Sequence, residues 1–157
     1  FNGAGAHPSA ALGEWPNGIS THLMPYLAQA ACSERDVVDL YGSDYPSVDG
    51  TAVRDYVHVM DVVDAQMQVF RWLFSQTQAF GTFNIGRGEA VTVKQMADKF
   101  AEISGQPIAT ESQPRRPHDV ASLVADMSHT QTVLQWQPSR GLDDIAKDTW
   151  AFYQALK

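Results

Sequence analysis

Apolar residues recur at helical spacing in five stretches of this chain, and short β-rich runs lie between them. Over residues 21–34, Leu23, Leu27, Ala30 and Ala31 follow the three- and four-residue step of a helix face. Pro25 falls close enough to the start to be tolerated, because a first-turn N–H has no intrahelical acceptor to lose. Residues 60–74 carry the stripe Val62, Val63, Met67, Phe70, Leu73 and Phe74, and Asp61 and Asp64 complement the dipole of the first turn. Thr92-Val93-Lys94-Gln95 reads as a capping box opening a helix that Gly105 and Pro107 close. Residues 128–136 predict a further helix. Residues 142–155 predict the last, with Leu142, Ile145, Ala146, Trp150 and Tyr153 at mixed spacings. Strands are expected at 37–41, 82–85, 108–111 and 123–125. Beyond its first residues the segment 1–19, rich in Gly, Ala and Pro, predicts a loop. Gly42-Ser43-Asp44-Tyr45-Pro46 and Asp49-Gly50 supply turn chemistry that should reverse the chain. The pattern is α/β with α+β character, several helices with short strands, with no repeat and no linker.

A chain of 157 residues with 44% hydrophobic content can build one core without a metal or disulfide. The single cysteine, Cys32, has no partner in the chain, and five scattered histidines do not form a metal-ligand pattern, so no metal site is expected. No leader and no 18-residue apolar run is present, which leads us to expect a cytoplasmic protein without a membrane partner. Eleven basic residues against 18 acidic ones give a net charge of −7, which argues against nucleic acid, whose binding rests on clustered Lys and Arg. A phosphate on any smaller ligand must be met by a few fixed cations. The chain opens on Phe1 and not Met, as expected of a truncated, cleaved or separately supplied fragment.

The most informative stretch is Arg54-Asp55-Tyr56-Val57-His58-Val59-Met60-Asp61. In order along the chain it joins Phe1-Asn2, Gly5-Ala6-His7-Pro8-Ser9, Leu23-Met24-Pro25-Tyr26, Gly42-Ser43-Asp44-Tyr45-Pro46, Asp49-Gly50-Thr51, Asn84-Ile85-Gly86, Pro114-Arg115-Arg116, Ala125-Asp126 and residues 142–150. This ordered set resembles the UDP-glucose (UDP-galactose) 4-epimerases, extended short-chain dehydrogenases/reductases with a Rossmann lobe for NAD and a second lobe for the sugar nucleotide. The resemblance covers the second lobe from end to end. It implies that residues 1–157 are the C-terminal UDP-sugar-binding domain and that the N-terminal NAD-binding Rossmann domain is absent.

A diphosphate held by so acidic a protein calls for fixed guanidinium groups, since a good Arg to phosphate contact is worth about 1.5–3 kcal/mol. Arg54, after the Asp49-Gly50-Thr51 turn, and Arg116, whose direction Pro117 restricts, are the candidates. The plainer alternative is a surface arginine paired with Asp55 or Asp119. The resemblance places diphosphate contacts at both positions. It puts Asp119 near the ribose, where the alternative is a carboxylate neutralising Arg116. It puts Tyr41 beside the uracil, where a ring can stack or simply pack on the core, and Asp39 and Leu40 on the same strand, contacting through their backbones. Asn2 matches a substrate contact and Phe1 a residue near the cofactor. His22-Leu23 stands where the family commonly has Asn-Leu; an imidazole can still donate to a phosphate, with a charge that depends on pH, or can face solvent. Leu123 matches a position lining the sugar pocket that bears on whether an N-acetyl group fits; it also suits an ordinary strand.

Two glycine runs, Gly3-Ala4-Gly5-Ala6-His7-Pro8 and Gly86-Arg87-Gly88-Glu89-Ala90-Val91, begin like a dinucleotide fingerprint but lack its third glycine and its βαβ setting, and are expected to be loops. Tyr153 and Lys157 have the Tyr-x-x-x-Lys spacing of a catalytic phenol and its ammonium. In the family that pair lies in the Rossmann lobe, so Tyr153 is expected in the core. With no catalytic residue of its own, the chain is expected to be inactive alone and to act in the NAD-dependent inversion of C4 between UDP-glucose and UDP-galactose, with the missing half as partner. A homodimer is one assembly left open. A non-catalytic UDP-sugar module, an interaction fragment using the exposed seam, and a part of another nucleotide-sugar epimerase or dehydratase remain alternatives.

Overall fold

The computed structural model describes residues 1–18, 20–75 and 80–157; Ile19, the end of the expected first loop, lies outside the described residues. Among the described residues the elements run β1 (Asn2–Ala4), α1 (Leu23–Ala31), β2 (Val38–Tyr41), β3 (Val53–Arg54), β4 (Tyr56–His58), α2 (Val59–Ser75), β5 (Val91–Thr92), α3 (Val93–Ser104), β6 (Thr110–Gln113), β7 (Ser122–Leu123), α4 (Ser128–Leu134) and α5 (Leu142–Ala155). The strands pair as three small sheets: β1 parallel to β4, β2 parallel to β6, and β3 between antiparallel β5 and parallel β7.

Helix α3 starts where its capping box predicts. The Thr92 hydroxyl accepts the Gln95 N–H at 3.0 Å, the Gln95 amide oxygen accepts the Thr92 N–H at 2.9 Å, and Gly105 ends the helix at φ 66°. Helix α5 has the expected bounds. Helix α4 stops two residues short, at the left-handed Gln135 (φ 50°), although Trp136 beyond it is buried.

The turn after β2 is local. The Tyr45 N–H donates to the Gly50 carbonyl at 2.9 Å, and the chain leaves for β3 without returning to β2, whose neighbour is β6. Gly50 is needed there: its φ is +80°, and a Cβ would lie 2.2 Å from the Ser43 carbonyl oxygen.

The expected strand at 82–85 does not form. Its acceptors are taken individually: the Phe1 ammonium donates to the Ile85 carbonyl at 2.7 Å and the Thr130 hydroxyl to the Asn84 carbonyl at 2.7 Å. The strand expected at 108–111 forms at Thr110–Gln113, because pairing with β2 in the register Val38↔Thr110 to Tyr41↔Gln113 sets its bounds. The one expected at 123–125 shifts to Ser122–Leu123, since the Ala125 N–H donates to the Asp55 carboxylate instead of a ladder.

The main core lies among α1, α3, α5 and the strands β1, β2 and β4, with Leu27, Val38, Met96, Phe100 and Ile145 fully buried. A smaller cluster of Ala65, Ala125, Met127, Leu134 and Trp136 sits under α2 and α4. Helix α2 forms as its periodicity predicts, yet its stripe faces solvent. Met67, Phe70 and Phe74 are exposed, Phe74 at 76%, while Asp61 and Ala65 are buried. The inward Asp61 accepts the Ser139 and Arg140 N–H groups at 3.2 and 2.9 Å and pairs with the Arg140 guanidinium, which ties α2 to the segment before α5.

His58 on β4 is fully buried. Its Nδ1 accepts the Met60 N–H at 3.1 Å, so Nε2 carries the proton and donates to Asp148 on α5 at 3.2 Å. Burial holds its pKa below the ordinary histidine value; the Asp148 carboxylate opposes this, Arg140 reinforces it and Asp61 opposes it. The unfolded chain therefore gains a proton at a pH where the folded one does not. This contribution to stability is fully present above about pH 6.5 and is lost as the pH falls through the lowered folded value. Urea midpoints are expected to fall between pH 6.5 and 5, and His58→Gln is expected to be less stable at pH 7 and flatter over that window. An equal slope in the variant would assign the effect to other groups.

Candidate functional site

A cleft of about 440 Å³ opens between β1, the start of α1, β2, β3, β4 and the loop before Asp119. The alternation of β2 decides which side chains reach it. Val38 and Leu40 point into the core, and Asp39 and Tyr41 line the cleft. On the same wall stand Phe1, Asn2, His22, Leu23, Arg54, Arg116 and Asp119. Leu40 and Leu123 do not line it. Leu40 is packed in the core, and Leu123, half-exposed, pairs with Arg54 in the β3–β7 register.

Arg54 is held at every turn. Its Nη1 donates to the Val53 carbonyl at 2.6 Å and the Val120 carbonyl at 3.0 Å, its Nη2 pairs with Asp119, and its side chain is only 13% exposed. The carboxylate beside Arg54 in sequence faces the other way: Asp55 is buried and accepts the N–H groups of Arg87, Gly88 and Ala125 at 2.8, 2.9 and 3.1 Å. Of the two partners that sequence offered for these arginines, Asp119 therefore belongs to Arg54, and Asp55 to neither.

Arg116 has no carboxylate. Its guanidinium lies 3.9 Å from the centre of the Tyr41 ring and makes no ion pair or side-chain hydrogen bond among the described residues. Its neighbour Arg115 is tied to Asp44, with Nε 2.7 Å from Oδ1, and stacks on Tyr45 at 4.1 Å.

His22 Nδ1 lies 2.5 Å from the Glu14 carboxylate at the rim. Asp39 accepts the Gln113 side-chain amide at 2.9 Å. The Asn2 Oδ1 is buried on the cleft wall without a hydrogen-bond partner, an acceptor that a ligand hydroxyl or amide can satisfy. Tyr56 also lines the cleft; burial raises its phenol pKa, and the nearby Arg54 works against that. Sequence reasoning missed Tyr56, Glu14, Thr21 and Tyr26. Tyr56 was within reach, two positions after Arg54 in the diagnostic stretch, whereas Glu14 is brought to His22 by the loop alone.

In the two glycine runs, Gly5 and Gly86 pack closely against buried side chains. The backbone at Arg87 and Gly88 wraps the Asp55 carboxylate, and a Cβ on Gly86 would sit 2.4 Å from it. A Cβ on Gly5 would lie 2.9 Å from the His58 ring. Tyr153 is a core residue: its hydroxyl donates to the Glu14 carbonyl at 3.2 Å, burial pushes its pKa up to about 12, and Lys157 donates to the Cys32 carbonyl at 3.1 Å. A catalytic pair would need the phenol pKa lowered. Among the described residues no cluster of His, Cys, Asp or Glu is arranged to hold a metal ion, and no helix is long and apolar enough to cross a membrane.

A family model described as GDP-mannose 4,6 dehydratase matches residues 6–149, the span holding every cleft element except β1. The chain belongs to this family. Among family relatives, the UDP-glucose 4-epimerase of Erwinia amylovora is 40% identical over 150 residues and that of Bacillus subtilis (strain 168) 39% identical over 150; each alignment takes in 96% of this chain and 44% of the relative. The chain thus spans less than half the length of the curated relatives it matches. Solved structures agree. The UDP-glucose 4-epimerase of Stenotrophomonas maltophila, with bound NAD and formylated UDP-arabinopyranose, superposes with TM-score 0.96 at 38% identity over 99% of this chain and 46% of that one. The enzyme of Bifidobacterium longum, in complex with NAD+ and UDP, gives 0.90 at 36% identity with the same coverage. The epimerase resemblance of the ordered motifs is thereby shown, together with the mixed α/β fold of this family.

Proposed function

We propose that this chain is the UDP-sugar-binding portion of a UDP-glucose 4-epimerase, working in the cytoplasm, and that a Rossmann domain outside this sequence supplies the NAD site and the catalytic Tyr-x-x-x-Lys pair. The observation that carries it is the convergence of Asn2, His22, Leu23, Asp39, Tyr41, Arg54, Arg116 and Asp119 on one cleft, in a chain 40% identical to such enzymes. Arg54 and Arg116 take the diphosphate, Tyr41 stacks on the uracil, and Asp119 keeps lone pairs for ribose hydroxyls while holding Arg54. NAD supplies transient oxidation at the sugar C4. The residues here grip the nucleotide and leave the hexose loosely held, so that it can present either face to the cofactor. The exposed apolar face of α2, with Met67, Phe70 and Phe74, supports an extensive partner surface, and we assign it to the cofactor domain.

On this proposal the chain alone shows no epimerase activity but binds UDP. Calorimetric titration with UDP is expected to give a saturable isotherm that Arg116→Ala weakens about tenfold or more, the equivalent of losing a charged hydrogen-bond pair. A folded chain that does not bind UDP would sink the proposal that this lobe carries a preformed nucleotide site.

A further inference from the structure

Arg116 is the cleft guanidinium that has no carboxylate partner among the described residues. Asp119, three residues further along the chain, is committed to Arg54. The backbone around Arg116 is pinned, since its carbonyl accepts the Asp119 N–H at 3.2 Å and the preceding Arg115 is tied to Asp44. The side chain makes no ion pair among the described residues, and its guanidinium carbon lies over the ring of Tyr41, 3.9 Å from the ring centre. A guanidinium is planar, delocalised and weakly hydrated, and so occupies an aromatic face much as a nucleobase does.

We propose that Arg116 plugs the base slot of the cleft and makes it selective for nucleoside diphosphates over nucleosides. This rests on the UDP-sugar reading above, in which Tyr41 stacks on the base. Arg116 and Tyr41 line the same cleft, so a base entering it meets the guanidinium at the ring. A ligand with a diphosphate offers Arg116 two charged acceptors and draws it off the ring. A bare nucleoside must displace it with nothing in return. The same residue thus strengthens binding of one ligand class and weakens binding of the other, which no purely attractive role would do.

The test is the affinity of the folded chain for UDP and for uridine, by calorimetry and ligand-observed NMR, in wild type, Arg116→Ala, Tyr41→Leu and the double variant, with circular dichroism confirming the fold of each. Arg116→Ala is expected to weaken UDP about tenfold or more while tightening uridine roughly two- to fivefold, the equivalent of an exposed cation–π contact. In the Tyr41→Leu background the uridine gain is expected to vanish, since there is no ring left to uncover. If UDP binds and uridine affinity is unchanged or weakened by Arg116→Ala, the plug is overturned and the nucleotide reading stands. If the folded wild type binds neither ligand, that reading falls and the plug with it.

Discussion

Replacing Asp55 by alanine is expected to cost about 3–5 kcal/mol of folding stability, because three backbone N–H groups lose one buried acceptor together. Asp55 is fully buried, and its two carboxylate oxygens take the Arg87, Gly88 and Ala125 N–H groups, while its own carbonyl accepts the Asn2 N–H at 3.0 Å. One side chain therefore joins the segment between β3 and β4 to the loop after residue 85 and to the segment after β7. Asp55→Asn keeps the shape but turns an NH2 toward a donor, and is expected to lose part of that amount. It remains measurable should the alanine variant fail to fold. Urea denaturation of both variants checks this; a loss below about 1 kcal/mol for Asp55→Ala would mean that water replaces the carboxylate at little cost. The consequence reaches the cleft, since Arg54 and Tyr56, which flank Asp55 in the chain, both line it.

The largest loss of ligand affinity is expected from Arg54→Ala, about 2–5 kcal/mol for UDP, which exceeds the effect of Arg116→Ala. The variant removes a guanidinium that three groups hold in place and leaves Asp119 as an unpaired carboxylate beside the diphosphate. Arg54→Lys is expected to recover little, because a single ammonium cannot bond the Val53 and Val120 carbonyls and Asp119 in the fork geometry of arginine. Adding Asp119→Asn to Arg54→Ala is expected to restore part of the affinity by removing the stranded negative charge. Calorimetry on the set decides it: an Arg54→Ala chain that binds UDP as wild type does would place the diphosphate elsewhere.

Local chemistry alone determined two of the helices, whereas α1 forms only at Leu23–Ala31 of the expected 21–34 and α4 stops at Leu134. The Thr92–Gln95 box, the left-handed Gly105 and the spacing of Leu142, Ile145, Ala146, Trp150 and Tyr153 set α3 and α5, because a helix satisfies its backbone within itself and writes its period into the sequence. The ordered motifs likewise carried the family and half of the cleft-lining residues. Strand placement was less legible. The residues of β6 are Thr, Glu, Ser and Gln, with no apolar alternation, and only pairing with β2 makes them a strand. The segment 82–85 has strand-like residues, but its carbonyls find donors one at a time and no ladder. Tertiary structure also decided the facing of α2, where Asp61 is tied to Ser139 and Arg140 and Ala65, Val69 and Trp72 pack inward, leaving Phe70 and Phe74 exposed. It decided the partners of the arginines, giving Asp119 to Arg54 and the Tyr41 ring to Arg116. Periodicity reports which residues share a face of one element; which face is covered, and which charges meet, depends on segments distant in the chain that only the folded backbone brings together.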